Sequence, residues 1–225
     1  MEPAFDRSGR GTTDICAVTG ESPMNYDSVA WDFDGVLADS RAQAWRTASE
    51  ILALLGLSVD VQSQETFRKY FTRSDIFQES DTATLRGMHR LVMNTRTHLI
   101  DLFPCISLVA PLIVPSEVVT SGSASVAQKV LGGHARSFVS IRGREVDSKR
   151  ALLSSLSNKS VFVTDTVVDV ARCRELSLAV IAVGWGYDPV DALRNAQPDF
   201  FVDSTSDLEA LFVRWRLLPG TVLRS

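Results

Sequence analysis

The chain has 225 residues, 45% of them hydrophobic and 22% charged, with a formal net charge of −4. That is the balance of a globular protein long enough to bury a sizeable core, and it excludes a low-complexity chain or one whose overall basic field would hold nucleic acid. Cys16, Cys105 and Cys173 are too far apart for a CxxC pair or a disulfide framework, His89, His98 and His134 lack zinc-ligand spacing, and no apolar run reaches the length of a membrane span. These features set the expectation of a cytoplasmic protein with neither nucleic acid nor membrane as a partner.

Residues 1–26 are polar, Gly/Ser/Thr-rich and without period, and read as a mobile tail, with Met24 an alternative start. Glu2, Asp6, Arg7, Arg10 and Asp14 leave no apolar stretch for a signal peptide. A short apolar run, Val29 to Trp31, then enters Asp32-Phe33-Asp34-Gly35. In an extended segment side chains alternate, so Asp32 and Asp34 share a face and Phe33 takes the other. Two carboxylates at a strand end with no basic neighbour in sequence repel each other, and a hard divalent cation such as Mg²⁺ is the simplest remedy. Gly35 permits a turn or a close approach of backbone to ligand.

Ser40 is placed to cap a helix over Ala42–Leu55, where Ala44, Trp45, Ala48, Ile51, Leu52 and Leu55 recur at helical spacing and Gly56 supplies the stop. Gln64–Phe71 and Thr82–Asn94 also read as helices, with Thr95–Leu102 as a possible extension, and Pro104 breaks the pattern. Beyond Pro111, short apolar strands alternate with helices. Strands are expected at Glu117–Thr120, Ser137–Ile141, Val161–Val163, Ala179–Val183 and Phe200–Val202. Helices are expected at Ala124–Leu131, Ser148–Leu156, Val168–Leu176, Val190–Ala196 and Ser206–Trp215. This alternation is that of βαβ units and a mostly parallel sheet. The helical block, inserted after the first strand, leaves the sheet at its carboxyl end, where open α/β sheets bind ligands, and is expected to cover that edge as a lid.

Polar groups collect at the strand ends: Asp32 and Asp34 after the first, Thr120, Ser121 and Ser123 after the second, and Asp165 after the third, with Asp169 four residues on. Lys149 opens the helix before the third. Singly, each has an ordinary structural reading: a turn, a helix cap or a solvated lysine. In order, they resemble the four motifs of the haloacid dehalogenase superfamily of phosphatases and phosphomutases: DxDG, a Ser/Thr after an apolar strand, a Lys, and an acidic pair after an apolar strand. The resemblance spans nearly all of Tyr26 to Phe212 and includes AVIAVGWGY and DFFVDSTSDLEALF. The chain departs from it in carrying Thr164-Asp165 where the family commonly has Gly-Asp.

The resemblance implies an α/β fold, a Rossmann-like parallel sheet core formed by residues 27–40 and 103–225, with residues 41–102 as an inserted all-helical cap of the C1 type. It implies a Mg²⁺-dependent phosphomonoester hydrolase acting on a small phosphorylated metabolite, as a monomer or homodimer. Asp32 would be the nucleophile and form an aspartyl-phosphate, and Asp34 the general acid and base. Ser121 (with Thr120 the alternative), Gly122 and Lys149 would hold the phosphoryl oxygens, and Asp32, Asp34, Asp165 and Asp169 would make up the metal site, Asp169 by holding Lys149 or the metal's waters in place. An aspartate at position 34 speaks against a dehalogenase, and Lys69, alone among lysines in the cap, speaks against Schiff-base phosphonatase chemistry. A phosphomutase and a non-catalytic binding module of the same fold remain alternatives. Between Arg41 and Phe103 eight Lys/Arg stand against seven Asp/Glu, about +1, which leaves about −5 for the rest of a chain of net charge −4. A slightly basic lid suits an anionic small molecule, and Arg73, His89 and above all Arg90 are the candidates to touch it. Trp185 and Tyr187 follow a strand and are placed to line the mouth or pack its loop.

Overall fold

The computed structural model describes residues 25–59, 61–63, 66–67 and 79–219. The expected tail up to residue 24, with Cys16 and Met24, most of the expected helix Gln64–Phe71, and Lys69 and Arg73 lie outside the described residues.

Strands β1 (Ser28–Trp31), β4 (Ser116–Val119), β5 (Ser140–Arg142), β6 (Ser160–Thr164), β7 (Ala179–Val183) and β8 (Phe200–Val202) form one sheet in the order β5-β4-β1-β6-β7-β8. Every pairing in it is parallel. A parallel sheet is covered on both faces, so its strands are apolar at consecutive positions, and the alternation of side chains sorts them into two layers. Val29, Trp31, Val161, Val163, Ile181 and Val183 enter one apolar cluster, which α4 (Ala124–Leu131) and α8 (Thr205–Arg214) cover. Ala30, Phe162, Val180 and Ala182 enter the other, beneath α5 (Lys149–Ser154), α6 (Val167–Glu175) and α7 (Val190–Asn195). From β1 the chain builds towards β4 and β5 on one side, then crosses to β6, β7 and β8 on the other. The strand order therefore reverses beside β1 and β6, and their carboxyl ends flank the crevice where folds of this type bind ligands.

The described residues between β2 (Ala38–Asp39) and β3 (Asp101–Leu102) are mostly helical, and these two short strands pair antiparallel at their root. Helices α1 (Arg41–Leu54) and α2 (Glu79–Thr95) enclose a small apolar cluster of their own, with Ala48, Ile51, Leu52, Val61 and Leu85 buried. Gly56 ends α1 as expected: it takes φ +74°, its N–H reaches the Ala53 carbonyl, and the Leu57 N–H reaches that of Leu52. A four-residue helix, α3 (Ile106–Val109), follows β3.

Three expectations are corrected here. Thr95–Leu102 does not extend the helix: the chain breaks at Arg96, makes a 3-10 turn over Thr97–Leu99, and then pairs as β3. Ser40 stands at the N-cap position of α1, but its backbone is helical (φ −87°, ψ −10°) and not extended, so its side chain makes no capping bond and its hydroxyl donates to Asp34. The expected strand Ser137–Ile141 is shifted to Ser140–Arg142, since Gly132–Ser137 coils into a 3-10 segment.

Candidate active site

β1 ends at Trp31 and delivers Asp32 to the edge of the sheet, where its N–H donates to the Val163 carbonyl of β6 at 2.8 Å. The carboxylate is only 5% exposed. Its Oδ1 accepts from the Phe33 N–H at 2.8 Å, and its Oδ2 lies 2.5 Å from Lys149 Nζ. Lys149 is held there because Ser148 caps α5, accepting from the Ala151 N–H, and so starts the helix with the lysine in its first turn. The ammonium also meets Asp169 Oδ2 at 2.5 Å and lies 5.3 Å from the centre of the Phe162 ring. The basic neighbour that the DFDG stretch lacks in sequence is thus supplied in space.

Asp165 follows β6 and is fully buried. Its Oδ2 accepts from the Tyr187 N–H at 2.6 Å, while Oδ1 is buried without a hydrogen-bond partner. Two glycines make room for it. A Cβ on Gly35, whose φ is +81°, would come within 1.9 Å of Asp165 Oδ2, and one on Gly186 within 2.2 Å. The DFDG turn and the loop after β7 therefore close around this one carboxylate.

Asp34 is half-buried. Its Oδ1 accepts from the Ser40 hydroxyl at 2.7 Å, and its Oδ2 lies 3.3 Å from the place a Cβ on Gly122 would occupy. Of the second strand end, Thr120 is buried and its Oγ1 accepts from the Gly122 N–H at 2.8 Å, whereas the Ser121 side chain is exposed. Thr120 and Asp34 flank Gly122, so of the two second-motif candidates the buried hydroxyl on the side of the aspartates is that of Thr120. The backbone N–H groups of Phe33 and Gly122 donate to Asp32 and Thr120. Ser123 turns to Glu145, whose other oxygen accepts from the Ala124 N–H at 3.1 Å.

Asp169 stands against Lys149, the placement expected of a residue that holds the lysine. Its Oδ2 bonds to Lys149 and to Thr164 Oγ1, and its Oδ1 to Arg172 at 2.7 Å, so both oxygens are taken and the residue fixes Lys149. Thr164, at the place of the family's usual glycine, is buried and uses its hydroxyl in this pairing.

The charges explain one another. Burial pushes Asp32 up to about 7 despite the Lys149 charge beside it. Burial, and then the charge of Asp32, raise Asp165 well above the ordinary carboxylate value. Burial also raises Asp34 against its hydrogen bond from Ser40. Burial alone would push Asp169 up and Lys149 down, but their mutual attraction wins, lowering the acid and raising the base. On the helical side, His89 Nε2 lies 3.0 Å from the Ala44 carbonyl, and burial holds the ring below its usual value. Arg144, which sequence reasoning missed, donates to the Ser121 carbonyl at 2.8 Å. Burial and then the neighbouring charge of Arg90 hold Arg144 below its ordinary value. Arg90 itself is exposed.

Among the described residues, no three His, Cys, Asp or Glu side chains gather into a ready metal cage. The chemistry still fits a hard cation. Asp32 and Asp165 are two buried carboxylates, the charge of the first adds to burial in raising the second, and Asp165 Oδ1 is a buried acceptor with nothing to accept from. Mg²⁺ keeps several waters and needs only one or two carboxylates from the protein.

No protein-family model matches the chain. It is 25% identical over 202 residues to a phosphoglycolate phosphatase of Synechococcus elongatus, covering 80% of this chain and 94% of that one. Its fold is similar to that of a predicted phosphatase from Clostridium acetobutylicum, with TM-score 0.72 and 18% identity over 84% of this chain and 99% of that one. A haloacid dehalogenase-like family protein from Streptococcus pneumoniae gives TM-score 0.69 and 19% identity over 83% and 98%. The six-stranded parallel sheet with its inserted helical cap is the fold of the haloacid dehalogenase-like phosphatases, as the sequence resemblance implied. The curated relative that the chain matches is the one named for phosphoglycolate.

Proposed function

We propose that the protein is a Mg²⁺-dependent hydrolase of small phosphomonoesters that works through an aspartyl-phosphate. The observation that carries this reading is the pairing of Asp32, held by Lys149, with a second buried carboxylate, Asp165, whose Oδ1 has no partner. A cation held by Asp32, Asp165 and the Asp34 carbonyl would neutralise the approach of an anionic phosphoryl group to an anionic nucleophile.

A carboxylate oxygen of Asp32 attacks phosphorus and the bond from phosphorus to the ester oxygen breaks. Asp34 gives its proton to the departing alkoxide. Asp34, now ionised, takes a proton from water, which attacks phosphorus, releases inorganic phosphate and frees Asp32. Lys149 stays charged throughout and faces the charge that gathers on the phosphoryl oxygens. Of the two candidates for the second motif, the buried Thr120 suits the phosphoryl side better than the exposed Ser121. Residues 41–102 act as a lid that opens for substrate and closes against water, with Arg90 and Arg144 offering positive charge to the part of the substrate that does not react.

A panel of phosphorylated metabolites, 2-phosphoglycolate among them, assayed with Mg²⁺, tests this reading. Turnover of at least one ester, lost in EDTA and restored by Mg²⁺, is the expected result. Ca²⁺ should inhibit, because its looser coordination misplaces Asp32. Full activity in metal-free buffer would contradict the metal's role.

A further inference from the structure

The loop after β7 does more than make room for Asp165. Gly186 gives its carbonyl to Arg41 Nη1 at 2.8 Å, and Arg41 is the first residue of α1. The Arg41 guanidinium lies 5.5 Å from the centre of the Trp45 ring, and Trp45 meets the Tyr187 ring edge-on, centres 6.3 Å apart at 84°. The Trp45 indole N–H is buried with no partner, so packing on Tyr187 and Arg41, and not a hydrogen bond, seats that ring. The first turn and a half of α1 is thereby docked on two consecutive residues, Gly186 and Tyr187.

Tyr187 also reaches Asp34. Its hydroxyl lies 3.1 Å from Ser40 Oγ, and Ser40 donates to Asp34 Oδ1 at 2.7 Å. A serine hydroxyl carries one hydrogen, and Ser40 spends it on Asp34, so in this arrangement Tyr187 is the donor to Ser40. The chain of bonds runs Tyr187 O–H to Ser40 O–H to Asp34 Oδ1. It fills Oδ1 and leaves Oδ2, the oxygen beside Gly122, as the one free to exchange a proton with a reacting group.

We propose that Tyr187 is a positioning residue that couples the seating of α1 to the orientation of Asp34, so that Oδ2 faces the leaving group when Trp45 is docked. This rests on the hydrolase reading for its chemistry, with Asp34 as general acid, but the geometry it invokes is independent of that reading. A disturbed general acid matters most where the leaving group is poor: an alkoxide needs the proton, whereas p-nitrophenolate leaves without it.

The test compares wild type, Tyr187→Phe, Ser40→Ala and the double variant on an alkyl phosphate and on p-nitrophenyl phosphate, beside crystal structures of wild type and Tyr187→Phe. Tyr187→Phe keeps the ring against Trp45 and removes only the hydroxyl. Its kcat should fall about tenfold on the alkyl ester and less than about twofold on the nitrophenyl ester. The double variant should be no slower than Ser40→Ala alone, because both act through one chain of bonds. In the crystal, Asp34 Oδ2 of Tyr187→Phe should turn away from Gly122. Equal losses on both esters, additive losses in the double variant, or an Asp34 unmoved in the crystal would overturn the proposal. If wild type hydrolyses neither ester, it is the hydrolase reading that fails, and the position of Asp34 in the variant crystal still decides the role of Tyr187.

Discussion

At the carboxyl edge of β1 and β6, Asp32, Lys149, Asp165 and Asp169 are all less than a tenth exposed, and their charges are ordered by mutual pairing. On α1 and α2 the balance is reversed: Leu54 is 78% and Leu91 68% exposed, while the apolar cluster between the helices is small. The first region stores charge out of water, where a lost partner leaves an ion stranded. The second leaves apolar surface in water and is tied to the sheet by a few contacts at its root, such as Arg41 on Gly186 and Lys129 on Asn94. Substitutions at the edge should therefore act on chemistry and stability together, and those on the helices should act mainly on what binds.

The largest effect is expected from Asp32→Asn, which should lower kcat by about 10⁴-fold or more, measured on the best ester of the panel, with the circular dichroism of the folded chain unchanged. A folded variant with substantial activity would remove Asp32 as the nucleophile. Lys149→Met should cost about 3–5 kcal/mol in urea unfolding, because Asp32 and Asp169 then lose their shared cation inside the protein. Leu91→Ala, by contrast, should change stability by no more than about 0.5 kcal/mol. Similar losses for these two would erase the contrast between the regions.

A smaller effect should appear in the pH dependence of stability without metal. Burial holds the proton on Asp32 up to about 7 and pushes Asp165 the same way, whereas the unfolded chain releases such protons near 3.8. The folded chain therefore binds more protons across that window, so these two groups stabilise it most below the window, and that stability is lost as pH rises towards about 7. Thermal melts in EDTA should show Tm falling from about pH 4 to 7, and Mg²⁺ at pH 7 should restore it. A Tm that rises with pH over this range in EDTA, or no response to Mg²⁺, would contradict the paired buried acids. The smallest effect belongs to Arg90→Ala, which should raise KM for the preferred metabolite severalfold with little change in kcat, and leave p-nitrophenyl phosphate almost unaffected. Equal effects on both esters would remove Arg90 as a specificity residue.

The sheet was legible because its strands are buried on both faces. Val161–Val163 and Ala179–Val183 are apolar at every position, and the helices between them keep a clean period. The residues at the strand ends were legible as a series, since Asp32, Lys149, Asp165 and Asp169 do converge at one edge. The partners among them were not, because sequence spacing says nothing about which oxygen a side chain fills. Asp169 was expected to hold Lys149 or the metal's waters, but that Arg172 and Thr164 also sit on its oxygens could not be read from spacing. Ser40 looked like a helix cap, yet its helical backbone turns the hydroxyl away from the free amides, and it donates to Asp34. The two-residue strand β3 was missed because two residues carry no period. Tyr187 was noted for its place after a strand, while its bonds to Asp165 and Ser40 link positions far apart in sequence.

The central claim is that Asp32 carries the phosphoryl group during turnover. Rapid acid quench of the enzyme during hydrolysis of a ³²P-labelled ester, followed by mapping of the labelled peptide, tests it most directly. The account predicts an acid-stable, alkali-labile acyl-phosphate on Asp32 that appears and decays at rates consistent with kcat. Steady turnover with no label on the chain at any time, or label on a residue other than Asp32, would contradict it.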